Sequence, residues 1–156
     1  MNKQEQLMRK AIQLSINNVD EGGGPFGAII VRNGEIISEA ANSVTNDNDP
    51  TAHAEVNAIR LASKTLKTFD LSDCEIYTSC EPCPMCLGAI YWSGIKTVYY
   101  GNNKVDAASI NFDDKFIYEE LDLPIEKRKV KFRQLLPKEA KAAFIKWSES
   151  EDKIEY

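Results

Sequence analysis

Four side chains with the chemistry of metal binding or proton transfer lie at close spacings in the sequence. Cys83 and Cys86 are three residues apart at the predicted start of a helix, so both sulfur atoms can point from one helix face. The unpaired N–H groups at a helix start favour the thiolate forms that a metal requires. His53, the only histidine, offers an imidazole as a third ligand, and Glu55 follows two residues later. Two thiolates and a neutral imidazole balance the charge of Zn²⁺ and leave a fourth position for water.

Glu55 distinguishes a hydrolytic zinc site from a structural one, because hydrolysis needs a carboxylate that takes a proton from water and returns it to the leaving group. The letters HAE at 53–55 and PCPMC at 82–86 match the H-x-E and P-C-x-x-C signature of zinc-dependent nucleobase deaminases. The alternative is a closed structural site with Cys80 as a fourth ligand, which leaves no room for water and gives Glu55 no task. We predict one catalytic zinc per chain, without Cys80.

The elements that must position these residues alternate between helices and strands. The letters NG at 33–34 supply the positive φ angles of a two-residue hairpin turn, and the letters DP at 49–50 suggest a helix start. Hydrophobic periodicity gives the rest. The predicted helices are 3–19, 50–66, 84–93, one or two within 105–121, and 137–149; the predicted strands are 26–32, 35–41, 74–79, 96–100 and 129–135.

This order favours an α/β fold, a three-layer α/β/α sandwich around a mixed sheet whose first strand pair is antiparallel and whose later strands are parallel. A chain of 156 residues fits one domain, 1–156, that can bury a sizeable core without disulfides. The net charge of -5 and the pI near 5.0 argue against a nucleic-acid partner and favour a small uncharged substrate.

The chain lacks an apolar stretch long enough to span a bilayer, and its first residues lack the apolar region of a signal peptide. We expect a cytoplasmic protein with no membrane partner, in which the cysteines stay reduced. Cys74 opens a predicted strand and is interpreted as a small core residue without a chemical role. The basic run 127–133 could be an RNA-binding patch, but its alternation with apolar residues is more typical of a solvated edge strand.

Five segments carry a resemblance to a known family. They read PFGAIIV at 25–31, NDPTAHAEVNAIR at 48–60, YTSCEPCPMCLGAIYW at 77–92, FDDKFIYEE at 112–120 and EY at the end of the chain. Together they resemble the bacterial guanine deaminases of the cytidine deaminase superfold. The first three segments are shared in looser form by the tRNA adenosine deaminases, which lack the FDD segment and this ending.

The resemblance implies zinc-dependent hydrolysis of guanine to xanthine and ammonia. It makes His53, Cys83 and Cys86 the zinc ligands and Glu55 the proton shuttle, while Asp114 assists transfer to the 2-amino group. From the residues alone, Asp114 would be part of a solvated helix start. The alternatives are a tRNA adenosine deaminase, a cytosine-type deaminase, and a zinc-stabilised interaction module that is not an enzyme.

The family's purine pocket maps onto Phe26, which would stack on the base, and Asn42, which would hydrogen-bond its edge. Ala54 is carried over as a further substrate contact, and Trp92 as an apolar wall. Each has a structural alternative: Phe26 and Trp92 as core aromatics, and Asn42 as an ordinary turn residue.

Assembly is predicted from the predicted helix 84–93, which is apolar on more than one face, as expected of a homodimer interface. The resemblance adds exchange of the C-terminal segment, about 137–156, so that Tyr156 lies over the other subunit's substrate. The alternative for Tyr156 is a frayed tail.

Overall fold

The structure is a computed structural model that describes residues 2–156 and divides into two compact units, Met1–Asp114 and Lys115–Tyr156. A single domain over the whole chain stays a prediction. The first unit contains α1 (Lys3–Asp20), β1 (Gly27–Arg32), β2 (Glu35–Ala41), α2 (Val44–Asp47), α3 (Ala54–Leu66), β3 (Cys74–Cys80), α4 (Pro84–Ser93), β4 (Thr97–Asn102) and α5 (Lys104–Ser109).

The sheet of the first unit has four strands in the order β2-β1-β3-β4. β1 pairs antiparallel with both β2 and β3, and β3 pairs parallel with β4, so the predicted mixed sheet is confirmed. The hairpin between β1 and β2 turns at Asn33 and Gly34, which have φ angles of 52° and 77°. Both angles are positive, as a two-residue hairpin turn with this twist requires.

Helices cover both faces of the sheet, which makes the predicted three layers. On one face, Leu7 and Ala11 of α1 pack against Ile29 and Val31 of β1 and against Tyr77 of β3. On the other face, a second cluster joins the sheet to α3 and α4. Its buried members are Ala28, Ile30, Ala54, Ala58, Ala62, Leu71, Cys74, Ile76, Ile90 and Ile95.

The helix predicted from 50 begins later, at Ala54, with His53 as its N-cap. Asp49 forms a local turn instead, because its Oδ1 accepts hydrogen bonds from the Thr51 backbone N–H at 2.8 Å and the Thr51 hydroxyl at 2.7 Å. Asparagine and aspartate side chains commonly compete with helix formation in this way. The predicted N-terminal boundary of this helix is therefore wrong.

The second unit contains α6 (Lys115–Asp122), a 3₁₀ turn at Ile125–Lys127 and α7 (Pro137–Glu149). The predicted strand at 129–135 is wrong, since this segment has no strand structure and Val130 and Phe132 are exposed. Alternation alone does not make a strand, which also needs a neighbouring strand to pair with its backbone. Here the Lys129 N–H donates to Glu120 Oε2 at 2.8 Å, and the Arg128 guanidinium lies 5.4 Å from the centre of the Phe132 ring. No helix within residues 2–156 has the length and apolar character needed to cross a membrane.

Candidate active site

The two segments that carry the predicted metal ligands end at neighbouring helix N-termini. His53 is the N-cap of α3, and Cys83 is the N-cap of α4, with Pro84 at the first helical position. Both caps have extended backbone angles and neither makes a side-chain capping bond, so their side chains are available to a ligand. The positive ends of the two helix dipoles favour the negative charge of thiolates at this place.

The distances between the ligand atoms fit a tetrahedral zinc ion. His53 Nδ1 lies 3.5 Å from Cys83 Sγ and 3.5 Å from Cys86 Sγ. Zinc bonds of about 2.3 Å to sulfur and about 2.0 Å to nitrogen, at a tetrahedral angle, place sulfur and nitrogen about 3.5 Å apart. The geometry therefore matches a site with three protein ligands, which leaves one position for another group.

Without metal, the three ligand groups share protons. Hydrogen bonds from Cys86 and then His53 lower the pKa of the Cys83 thiol to about 4, against the effect of burial. The hydrogen bond with Cys83, followed by burial, raises the pKa of Cys86, and the bond to Cys83 also raises the pKa of His53. Zinc binding requires both cysteines as thiolates and a neutral imidazole, so it is coupled to release of the proton that Cys86 holds in the metal-free protein.

Cys80 does not join these ligands. The residues within 2–156 that could hold a metal ion together are His53, Cys83 and Cys86, and Cys80 instead points its sulfur at the Asn103 carbonyl 4.0 Å away. Burial raises the pKa of Cys80 to about 11, so it stays a thiol at neutral pH. This placement favours an open site over the closed structural site. Cys74 lies in the core cluster, as predicted.

Glu55 lies at the start of α3, beside the metal ligands, with only 5% of its surface exposed. Its Oε1 accepts a hydrogen bond from the Thr78 hydroxyl at 2.8 Å. Burial is the largest influence on the carboxyl group and raises its pKa, and the nearby Cys83 charge acts in the same direction. A carboxyl group held in this environment has the proton affinity that a general acid and base needs.

Asn42 and Phe26 are joined through the backbone, because the Asn42 N–H donates to the Phe26 carbonyl at 3.1 Å. Phe26 is half-buried at the edge of the core cluster, and its ring meets that of Phe112 edge to face, with the ring centres 5.0 Å apart. The Asn42 side-chain oxygen accepts a hydrogen bond from the Val44 N–H at 3.3 Å, so Asn42 also acts as a turn residue. Both residues thus combine a structural role with their predicted position in a pocket.

Asp114 is half-buried, and burial raises the pKa of its carboxyl group. The charge of Cys83 is a further cause of the higher pKa. The predicted role of Asp114 in proton transfer stays a prediction. Ala54 is fully buried in the core cluster, so its predicted contact with substrate stays a prediction.

Trp92 is 74% exposed at the end of α4, so it is not a core residue of the chain. Tyr156 belongs to the second unit and is 83% exposed there. The predicted roles of Trp92 as a pocket wall and Tyr156 as a lid stay predictions.

The sequence did not predict three residues that support this site. Thr78 hydrogen-bonds Glu55; Asn18 donates to the backbone oxygens of Gly24 and Asn42; and Asn57 donates to the Ala41 oxygen at 3.0 Å. Thr78 was detectable, because a polar residue on the inward face of a buried strand needs a partner. The Asn42 partner of Asn18 and the Ala41 partner of Asn57 are distant in sequence, so these two contacts carry no local signal.

Comparison with known proteins agrees with this geometry. Residues 1–102 match the family model described as the cytidine and deoxycytidylate deaminase zinc-binding region. The chain belongs to this family of zinc-dependent deaminases. The predictions of a hydrolytic enzyme and of the deaminase fold are therefore confirmed. The prediction of one zinc site formed by His53, Cys83 and Cys86 is also confirmed.

Within the family, the chain is 52% identical to the guanine deaminase of Bacillus subtilis over 153 residues, which are 97% of this chain and 98% of that protein. The crystal structure of that enzyme superposes with a TM-score of 0.96 over 100% of this chain and 99% of that chain. A structure of guanine deaminase from Nitrosomonas europaea gives a TM-score of 0.67 at 36% identity, over 69% of this chain and 63% of that one. A tRNA-specific adenosine deaminase of Buchnera aphidicola is 34% identical over 85% of each chain. The predicted resemblance to bacterial guanine deaminases is confirmed.

Proposed function

We propose that this protein is a guanine deaminase, which hydrolyses guanine to xanthine and ammonia. The observation that carries this proposal is the 52% identity with the Bacillus subtilis enzyme, which extends through the chain beyond the zinc-binding region. The identity to the tRNA-specific adenosine deaminase of Buchnera aphidicola is lower and covers less of the chain. The second supporting observation is a buried carboxyl group next to the three metal ligands.

In this reaction, bound zinc supplies Lewis-acid activation of the attacking water. Glu55 takes one proton from that water while the water oxygen forms a bond to the guanine carbon that carries the amino group. Glu55 then gives this proton to the adjacent ring nitrogen, and Asp114 assists transfer of the second proton to the amino group. The carbon–nitrogen bond breaks, ammonia leaves and xanthine remains, so one water is consumed for each ammonia released.

The base is held by residues from the loops at Phe26 and Asn42 and from the helices α3 and α4. Phe26 stacks on the purine, Asn42 hydrogen-bonds its edge, and Ala54 and Trp92 complete the contacts. The edge-to-face contact between Phe26 and Phe112 supports this arrangement, because it fixes the plane of the Phe26 ring. The backbone bond from Asn42 to Phe26 couples the stacking residue to the hydrogen-bonding one.

The test of this function is ammonia release from a panel of guanine, adenine, cytosine, cytidine and a tRNA anticodon stem-loop. We expect release from guanine. A preference for the stem-loop would support a tRNA adenosine deaminase, and no release from any compound would support a zinc-stabilised interaction module.

Replacement of Glu55 by Gln separates binding from chemistry. Glu55→Gln should keep about one zinc per chain and lose nearly all turnover, because the amide cannot carry the proton. Zinc retained with activity within a few-fold of the parent would contradict the role of Glu55.

We further propose that the protein is a homodimer in the cytoplasm. Tyr91 and Trp92 on α4 are 76% and 74% exposed, which is unusual for large apolar residues on neighbouring positions and is typical of an interface. The cytoplasm is proposed because metal binding through Cys83 and Cys86 requires reduced thiols.

The C-terminal segment, 137–156, is proposed to be exchanged between the two subunits so that Tyr156 covers the partner's substrate. Exposed apolar residues in this segment, among them Phe144 and Ile154, support a contact with another surface. Deletion of residues 154–156 should lower guanine turnover and leave the zinc content and the dimeric state unchanged.

Mixing tests whether the segment acts across the interface. A chain lacking residues 154–156 and a Glu55→Gln chain are each defective alone. In a mixed dimer with exchanged C-terminal segments, the truncated chain supplies an intact Glu55 and the Glu55→Gln chain supplies an intact C-terminal segment to the same site. We expect activity to return. If mass spectrometry shows that mixed dimers form and activity does not return, Tyr156 acts on the site of its own subunit or has no role in the reaction.

A further inference from the structure

The Thr78 side chain lies directly against the proposed proton shuttle. Thr78 is in β3, is fully buried, and its hydroxyl oxygen is 2.8 Å from Glu55 Oε1. The same hydroxyl is 3.1 Å from the backbone oxygen of Cys80. Because bulk water does not reach this buried hydroxyl, its hydrogen bonds must be made with the carboxyl group and the carbonyl group that it contacts.

The two contacts of Thr78 have different chemistry. A backbone carbonyl can only accept a hydrogen bond, whereas a carboxyl group accepts when ionised and can also donate when protonated. When the Thr78 hydrogen points to Glu55, the hydroxyl donates to the carboxylate. When the hydrogen points to Cys80, the hydroxyl oxygen can accept from protonated Glu55. The hydroxyl is therefore a partner for Glu55 before and after it takes a proton.

We infer that Thr78 is a positioning residue for deamination, which holds Glu55 Oε1 so that the second carboxyl oxygen faces the water and the substrate. It touches neither substrate nor metal and acts only through Glu55. The kinetic part of this inference rests on the proposed function. The structural part, that Thr78 fixes the Glu55 carboxyl group, does not.

The test compares three changes at Thr78 with one control. Thr78→Val keeps the shape and removes the hydroxyl, Thr78→Ala removes it without added bulk, and Thr78→Ser restores it. Ser38→Ala is the matched control, because the Ser38 hydroxyl is also buried and donates to the Ala58 carbonyl at 2.8 Å rather than to Glu55.

We expect Thr78→Val and Thr78→Ala to lower kcat for guanine by roughly 10-fold to 100-fold, with KM changed less than about three-fold and zinc content unchanged. Thr78→Ser should recover kcat to within about three-fold of the parent, and Ser38→Ala should stay close to the parent. Activity of both hydroxyl-free variants within two-fold of the parent would overturn the inference. An equal loss in Ser38→Ala would also overturn it, because the effect would then follow from any lost buried hydrogen bond.

Crystal structures of the zinc-loaded parent, Thr78→Ala and Thr78→Ser proteins give a readout that needs no substrate. We expect the Glu55 carboxyl group to move in Thr78→Ala and to hold its place in Thr78→Ser. An unmoved Glu55 in Thr78→Ala overturns the inference. If instead the parent releases no ammonia from guanine while Glu55 moves as expected, the proposed function fails and the positioning role stands.

Discussion

Asn18 connects the end of α1 to the loop that carries the predicted base-binding residues. Its side-chain nitrogen donates to the Gly24 carbonyl at 2.7 Å and to the Asn42 carbonyl at 2.8 Å, and the residue is 7% exposed. The change Asn18→Ala removes both donors and leaves two half-buried carbonyl oxygens without this partner. We expect this to loosen the backbone on both sides of the proposed pocket.

The magnitude follows from the two hydrogen bonds. An unmet buried polar group costs about 1–3 kcal/mol, and the half-buried carbonyls of Gly24 and Asn42 belong at the lower end because water reaches them in part. Asn18→Ala should therefore lower the free energy of unfolding by about 2–4 kcal/mol. Asn17→Ala is the matched control on the same helix, since the Asn17 side chain is exposed and accepts a hydrogen bond from the exposed Gln13 side chain, and its effect should stay below about 0.5 kcal/mol.

Gly23 offers a second route to the same perturbation. A Cβ atom on Gly23 would lie 2.8 Å from Asn18 Cγ and closer still to the Asn18 side-chain nitrogen, so Gly23→Ala should push the amide out of place. Urea unfolding gives the stability of each variant, and the KM for guanine reports the pocket. We expect KM to rise about 10-fold in Asn18→Ala and in Gly23→Ala, with a smaller change in kcat. An unchanged KM together with the expected loss of stability would refute the link between Asn18 and the pocket.

Three further predictions concern the cysteines and Asp114. By elemental analysis, Cys83→Ala and Cys86→Ala should lose zinc, whereas Cys80→Ala should keep about one zinc per chain; equal loss in Cys80→Ala would support a closed site. Burial raises the pKa of Cys74 from 9.0 to about 11, so the folded chain keeps a proton that the unfolded chain releases. The resulting stability is present below pH 9 and is lost as the pH rises to about 11, by up to about 3 kcal/mol, and urea titrations should show a smaller loss in Cys74→Val. Asp114→Asn should lower kcat for guanine at least 10-fold with zinc unchanged; a parent-like kcat would exclude Asp114 from proton transfer.

The metal ligands could be predicted from the sequence because each part of the site has a local signal. The spacing of Cys83 and Cys86, with a proline between them, determines both the helix start and the direction of the thiols. The helix Pro84–Ser93 has the bounds that the pattern predicts. The turn at Asn33 and Gly34 is equally local, since its residue types have the backbone angles that the turn needs.

The predictions are wrong where another interaction in the structure overrides the local sequence pattern. The letters DP at 49–50 fit a helix cap, but the Asp49 side chain forms a closer turn with Thr51, and α3 begins at Ala54. The alternation at 129–135 fits a strand, but a strand requires a pairing neighbour that sequence periodicity does not report. The pattern could show that Thr78 needs a partner, but the identity of that partner, and of the Asn42 and Ala41 partners of Asn18 and Asn57, depends on contacts between distant segments.

The close approach of α3 to the sheet explains why a glutamate on this helix reaches a threonine on β3. Ala54, Ala58 and Ala62 recur every four residues and form the buried face of α3, so the helix backbone can lie near the strands. A larger side chain on this face would separate the helix from the sheet, and the 2.8 Å contact between Glu55 and Thr78 would be lost. The same small residues place the His53 cap of α3 beside the Cys83 cap of α4. The packing of one helix therefore determines both the metal-ligand distances and the position of the proposed proton shuttle.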